Sequence, residues 1–220
     1  MSKNEYIFVV VAHSDDQIFG PGGTLIKYAS EGKKIKTIIF SYGVLANPHY
    51  KKDVIRKIRY DESTEADKFI GGDGTIFFDM NEGKFEKEFY KKKYDQELKN
   101  LILKYKPQKI FTHATDDNLP DHKIVSKLVL ETYDKLSKEQ KFKTNIYTFG
   151  VWRFFKLKQR NSPRLVVDIS ETFDKKIEAL KIFKSQLNSM ISLKWSVYIK
   201  AFSAGFKHNM SLAEEFYKLR

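Results

Sequence analysis

The sequence predicts an α/β fold: a Rossmann-like, mainly parallel sheet with helices on both faces, in a single domain. Three observations predict it. In the first half of the chain, short β-branched apolar runs alternate with segments of helical periodicity, the βαβα pattern of a parallel sheet. The first run, Phe8 to Val11, is continuous rather than alternating, as a strand buried on both faces should be. Two of the runs end in clusters of histidine and aspartate, and open α/β sheets bind ligands beyond the carboxyl ends of their strands.

The elements follow in order. Tyr6 to Val11 reads as a strand, Gly22 to Ser30 as a helix stopped by Glu31-Gly32, and Ile35 to Ser41 as a second strand. Lys51 to Ile70 has helical periodicity, with Ile55, Ile58, Glu62, Ala66 and Phe69 near helical spacing, and Gly71-Gly72 ends it. Thr75 to Phe78 is a short strand. Phe89 to Tyr105 reads as one amphipathic helix carrying Leu98, Leu101 and Ile102, closed by Pro107. Lys109 to Thr112 is a strand and Pro120 to Leu136 a helix. The second half is less regular. Asn145 to Phe149 and Arg164 to Val167 read as strands, and Glu171 to Asn188 as a helix burying Ile177, Leu180, Phe183 and Leu187. Ile191 to Phe206 is an apolar, aromatic helix that lines a pocket or makes a subunit contact, and Ser211 to Leu219 reads as a final helix.

Composition narrows the chemistry. The 220 residues suit one large domain, and 18 Phe with 12 Tyr supply core bulk. With no cysteine, disulfides and thiolate metal sites are excluded, so a metal would be held by His, Asp or Glu. No signal-peptide pattern and no apolar run long enough for a membrane span is present, so a cytoplasmic protein without a membrane span is expected. The net charge of +12 comes from lysines that alternate with acids, as in Lys84 to Lys93. That is the pattern of solvated helix faces, so no nucleic-acid partner is expected, although such a surface can attract anions.

The first strand runs into Ala12-His13-Ser14-Asp15-Asp16-Gln17. Imidazole beside carboxylate suits a divalent metal, and of two adjacent carboxylates one can ligate while the other moves protons. An Asp pair after a strand also serves as a turn or helix cap. The strand at Lys109 to Thr112 runs into His113-Ala114-Thr115-Asp116-Asp117-Asn118-Leu119-Pro120-Asp121-His122. His122 follows Pro120, a residue suited to the first turn of a helix. His13, Asp16 and His122 together would make a His₂Asp set with an open position for water, the arrangement of catalytic zinc.

These residues carry a family resemblance. Ala12-His13-Ser14-Asp15-Asp16-Gln17 followed by Gly20-Pro21-Gly22-Gly23, then Ser41-Tyr42-Gly43, then Arg59, Glu62 and Ala66, then Pro120-Asp121-His122, stand in the order of the PIG-L/LmbE-like zinc-dependent N-acetylglucosaminyl deacetylases. Lys176, Ala179-Leu180 and Ser185-Gln186 resemble that family's C-terminal helix, and Gly205 with Ala213 to Phe216 its closing segment. The resemblance implies that His13, Asp16 and His122 bind Zn²⁺ and that Asp15 is the general base. It also implies that Arg59 contacts substrate, the other reading being an Arg59–Glu62 helix pair. Asp121 is placed to orient a ligand histidine. The implied partner is a small N-acetylated sugar or glycoside, with homo-oligomers occurring among relatives, and a His₂Asp site also accepts other divalent ions.

Departures from the pattern qualify that picture. Ser14 and Gln17 replace proline and glutamate, Phe183 stands where a histidine is common, and Leu119 replaces a histidine that stabilises the oxyanion or protonates the leaving amine. Asn118 could supply a dipole in its place, and His113 or His208 could approach from elsewhere. Two other readings therefore stand beside the deacetylase: a catalytically impaired metal-binding relative, and a nucleotide- or sugar-nucleotide-binding protein whose Gly20-Pro21-Gly22-Gly23 turn cradles a phosphate.

Overall fold

The structure is a computed structural model that describes residues 5–46, 49, 51–152 and 162–220, with backbone alone at 46 and 187–192. Strands β1 (Tyr6–Val11), β2 (Lys34–Ile39), β3 (Thr75–Phe77), β4 (Lys109–His113) and β5 (Asn145–Phe149) pair in parallel. Strands β6 (Arg164–Asp168) and β7 (Ala213–Lys218) extend the same sheet, β7 running antiparallel to both of its neighbours. The strand order β3-β2-β1-β4-β5-β7-β6 contains the doubly wound 3-2-1-4-5 arrangement. The chain leaves β1 towards β2 and returns to the other side of β1 as β4. The crevice at that switch point lies between the loops that follow β1 and β4.

Strand β1 shows why its apolar run is continuous. Ile7, Val9 and Val11 enter one core cluster while Phe8, Val10 and Ala12 enter the other, so both faces of the sheet are covered. On the first face lie α1 (Asp16–Phe19), α2 (Gly22–Ser30), α3 (Lys52–Ile70), α7 (Phe173–Ile182) and α8 (Leu187–Lys207). On the second lie α4 (Phe85–Lys91), α5 (Tyr94–Tyr105) and α6 (Pro120–Gln140). Gly20, after α1, must be glycine for packing reasons: a Cβ there would lie 2.2 Å from the Phe149 ring.

Three expectations are corrected. The helix expected over Phe89 to Tyr105 is two, α4 and α5, separated where Lys93 takes a left-handed conformation (φ 60°). That break lets Phe89 stack on Phe40 in the core while α5 buries Leu98 and Ile102. The helix expected over Glu171 to Asn188 ends at Ile182, and a 3₁₀ turn, Lys184–Gln186, joins it to α8. The Glu62 carboxylate holds this turn, accepting the Ser185 backbone N–H and hydroxyl at 2.8 and 2.6 Å. Leu187, expected in the core, lies outside the described side chains. Phe69, on α3, is 40% exposed under the Lys175 ammonium.

The last correction is the largest. Ser211 to Leu219 is no helix: its centre is β7, inserted between β5 and β6. Phe216 packs edge-on against Phe111, and Glu214 turns inward to Lys176 at 2.6 Å. Helix propensity in Ala213-Glu214-Glu215 yields to two ladders of backbone hydrogen bonds and a buried ion pair. Helix α8 itself buries Leu193, Val197, Ala201 and Ala204 and exposes Trp195, Ile199, Phe202 and Phe206, each at least 64% accessible. No helix among the described residues is long and apolar enough to cross a membrane.

Candidate metal centre and active site

The loop after β1 and the first turn of α6 meet at the switch point. Pro120 occupies the first turn of α6 and holds Leu119 extended (ψ 124°), so His122 sits rigidly one turn into the helix. Asp16 opens the one-turn helix α1, and its Oδ2 accepts the His13 backbone N–H at 2.8 Å. The same oxygen lies 3.4 Å from His13 Nδ1, 3.4 Å from His122 Nε2 and 3.4 Å from His113 Nε2. Donor atoms of His13, Asp16 and His122 all fall within 4.8 Å of one another.

Burial makes this arrangement costly unless something completes it. His122 is fully buried, yet neither ring nitrogen makes a well-aligned hydrogen bond. Its Nδ1 is 3.2 Å from Asp117 Oδ1, an ion-pair contact too bent for a good hydrogen bond. Buried polar atoms are nearly always paired, so an unmet Nε2 aimed at a carboxylate and a second imidazole fits the donor set of a divalent cation. The residues present therefore suit the ion that the sequence resemblance implies.

Electrostatics agree with the geometry. Burial alone would push His13 down, but the carboxylates of Asp121, Asp16 and Glu82 raise it to about 10. Burial likewise opposes the His122 proton, and Asp16 and Asp117 lift it to about 9. At Asp16 burial is outweighed by His122 and His113, which hold its carboxyl well below the usual carboxylate range. His113 goes the other way: burial and the neighbouring His122 charge depress it to about 4. A neutral His113 is what the backbone requires, since its Nε2 accepts the Ala12 N–H at 3.0 Å. Its ring stacks on His122 with centroids 3.8 Å apart.

Asp15 differs from Asp16. Its pKa is raised by burial, with Arg59 opposing and Asp16 adding to the rise. Next to the donor cluster, it lines a cavity of about 160 Å³ together with His13, Asp16, Arg59, Glu82 and Gln186. The apolar wall of that cavity is Phe19, Leu119, Val151, Trp152 and Leu193. Arg59 is only 2% exposed, and burial lowers its pKa against the surrounding charges of Asp15, Glu62 and Glu82. Glu62 is taken by Ser185.

The other sequence candidates fall as follows. Asp121 Oδ2 lies 3.6 Å from His13 Nε2 and its carboxylate accepts the Gly83 N–H, so it faces His13 rather than His122. Asn118 is exposed and donates its amide to the Trp152 carbonyl, outside the cavity lining. His113 does approach, from beneath the cluster. Ser14 and Gln17 are absorbed locally, Ser14 Oγ donating to the Tyr42 carbonyl and Gln17 Nε2 to the Ser14 carbonyl. Sequence alone gives no site role to Asp117 or Glu82, and names Gln186 only within the resemblance to the family's C-terminal helix. Asp117 was hidden in a run of acids that any polar turn would show, and Glu82 arrives from the loop after β3. The phosphate-cradle alternative loses its amides: Gly23 and Thr24 N–H groups donate to the Glu214 carboxylate at 3.0 and 2.8 Å. An anion already caps that helix, and it belongs to the chain.

Comparison with known proteins adds ancestry to this geometry. A probable N-acetyl-α-D-glucosaminyl L-malate deacetylase 2 of Bacillus cereus is 23% identical over 192 residues, covering 84% of this chain and 86% of that protein. The N,N'-diacetylchitobiose deacetylase of Pyrococcus horikoshii superposes with a TM-score of 0.80 at 19% identity, over 98% of this chain and 84% of the other. A 4-carboxy-2-hydroxymuconate hydratase of Pseudomonas putida reaches the same TM-score at 18% identity, over 98% and 96% of the two chains. The shared fold thus serves more than one reaction. Residues 8–133 match the family described as GlcNAc-PI de-N-acetylase, PIG-L. With more than half of its length matched, and with the matched span holding His13, Asp16 and His122, the chain belongs to the PIG-L de-N-acetylase family.

Proposed function

We propose that the chain is a single-domain, metal-dependent N-deacetylase that hydrolyses the acetamide of an N-acetylglucosamine-type sugar or conjugate. The observation that carries this reading is the convergence of three metal-competent donors, His13, Asp16 and His122, beside a free carboxylate, Asp15, whose proton affinity burial has raised. Family membership supports it, as does the B. cereus relative described as acting on an N-acetylglucosaminyl conjugate.

His13, Asp16 and His122 would hold the ion, for which Zn²⁺ is the leading candidate. When bound, such an ion lowers the pKa of water and polarises an acyl oxygen. The chain's own residues do the rest. Asp15 takes the proton from water as it adds to the acetamide carbon. Leu119 offers no proton, so Asp15 also returns it to the nitrogen as the C–N bond breaks, leaving acetate and a free amine. A carboxylate with a raised pKa suits both halves of that exchange. Asp121 orients His13, and Asp117 orients His122. Arg59 holds a polar group of the sugar, while Phe19, Trp152 and Val151 exclude bulk water.

The test is acetate release from N-acetylglucosamine conjugates by zinc-reconstituted protein, with bound metal measured in parallel. His13→Ala should lose the ion. Asp15→Asn should keep it and lose about 10²- to 10⁴-fold in kcat. Wild-type protein that holds metal but releases no acetate would favour the second reading, a non-catalytic metal-binding relative, for which Leu119 is the motivating observation. Self-association is assigned to the Trp195, Ile199, Phe202 and Phe206 face of α8. Sedimentation of Phe202→Glu against wild type tests it, and an unchanged mass would reject that face.

A further inference from the structure

Arg59 and Gln186 reach the same cavity from two different elements, and each is nearly sealed from solvent, at 2% and 5% exposure. Both keep side-chain N–H groups without a partner in the protein: Nε and Nη1 of Arg59 and Nε2 of Gln186. Unmet donors this deep are rare, and a binding site is one of the few places where they are retained. The chain also holds them there. Glu62, one turn after Arg59 on α3, accepts both hydrogen bonds of Ser185, pinning the turn that presents Gln186. Gly43, at φ 74°, clears the space beside the guanidinium, where a Cβ would come within 3.1 Å of Arg59 Nη2. Phe183, three residues before Gln186, is packed into the core, so Gln186 is the polar group that this turn offers the cavity.

We propose that Arg59 and Gln186 form a donor pair that binds one uncharged oxygen group of the substrate, making Gln186 a specificity-determining residue. This rests on the sugar-deacetylase reading and names the ligand chemistry of its second contact point. The ligand group is uncharged because Asp15, Glu62, Glu82 and Asp16 already surround the guanidinium. A phosphate or carboxylate would enter facing those carboxylates. A sugar hydroxyl instead accepts from Arg59 and exchanges hydrogen bonds with an amide that both donates and accepts.

The experiment uses the zinc-loaded Asp15→Asn protein, which does not consume its ligand, titrated with N-acetylglucosamine, glucosamine, glucose and inorganic phosphate. The Gln186 Nε2–H₂ and Arg59 Nε–H resonances should move with the sugars and not with phosphate. Gln186→Leu should weaken sugar binding about three- to tenfold, the effect of one neutral hydrogen bond. In the otherwise wild-type enzyme it should raise KM by more than it lowers kcat. Gln186→Glu keeps the shape and should weaken binding further by adding a fifth carboxylate. Sugar binding that leaves both resonances unmoved, binding of none of the three sugars, or phosphate shifting the pair would each overturn the proposal. Acetate release by wild-type enzyme separates the two ideas. Sugars held by the pair without acetate release keep the pair and sink the deacetylase, whereas release with the pair unmoved sinks only the pair.

Discussion

Asp117 Oδ1 lies 3.2 Å from His122 Nδ1, and both side chains are wholly buried. The carboxylate is itself fixed, Oδ1 accepting the Leu119 N–H and Oδ2 the Val151 N–H. It therefore sets the His122 ring so that Nε2 faces Asp16. Removing such a partner typically costs 10- to 100-fold in metal affinity. Asp117→Ala should weaken zinc binding by about that range in a chelator competition. Unchanged affinity would mean that α6 alone positions the ring.

Protons compete for the same site. His13 and His122, raised to about 10 and about 9 in the ion-free chain, are protonated at neutral pH, whereas a metal ligand must be neutral. Zinc binding at neutral pH should therefore release protons, seen as a dependence of the calorimetric heat on buffer ionisation. Apparent affinity should rise with pH towards about 10. Both folded-state values lie above the ordinary 6.5, so the stability they contribute is complete below that pH and is lost as pH rises through about 9 and about 10. The melting temperature of the ion-free protein should fall across that window while the zinc-loaded protein, its imidazoles already neutral, changes less. A flat ion-free profile would contradict these assignments.

Leu119 puts an aliphatic side chain on the cavity wall where the family resemblance expects a proton donor. Leu119→His should raise kcat for acetate release by about a hundredfold, the low end of general-acid contributions. It should also add a second limb to the pH–rate profile. A slower enzyme with one limb would show that Asp15 suffices.

The Lys176–Glu214 pair, at 2.6 Å, ties α7 and β7 to the start of α2, and Lys176 Nζ also donates to the Phe19 and Gly20 carbonyls. Lys176→Met would leave a buried carboxylate unpaired, so a loss of about 3–5 kcal/mol is expected in denaturant unfolding. Glu214→Gln should cost less, because an amide oxygen in place of Oε1 still accepts from Lys176 and Gly23, and only the Thr24 N–H loses its acceptor. Equal losses for the two variants would argue against a charge-specific role.

Much of the site was legible because its parts are local. A β-branched run ending in His13-Ser14-Asp15-Asp16, and a Pro120-led helix carrying His122, each declare a strand end or helix start within about ten residues. The topology rule for open sheets then brings them together. The roles of Asp117 and Glu82, and the place of Gln186 at the cavity, were not legible, since they depend on contacts with elements distant in sequence. Gln186 faces the cavity from a turn that Glu62 pins, where periodicity alone would have continued the helix.

By itself the sequence determined the parallel α/β core, the metal-competent donor set and the family, because apolar periodicity and short motifs act over a few residues. Tertiary structure alone decided the C-terminal segment, where Ala213 to Lys218 becomes a strand rather than a helix because β5 and β6 each offer it an edge. It also decided what Gly22-Gly23 is for. The amides that a phosphate would need are taken by Glu214, about 190 residues away, and such long-range pairing carries no local signal.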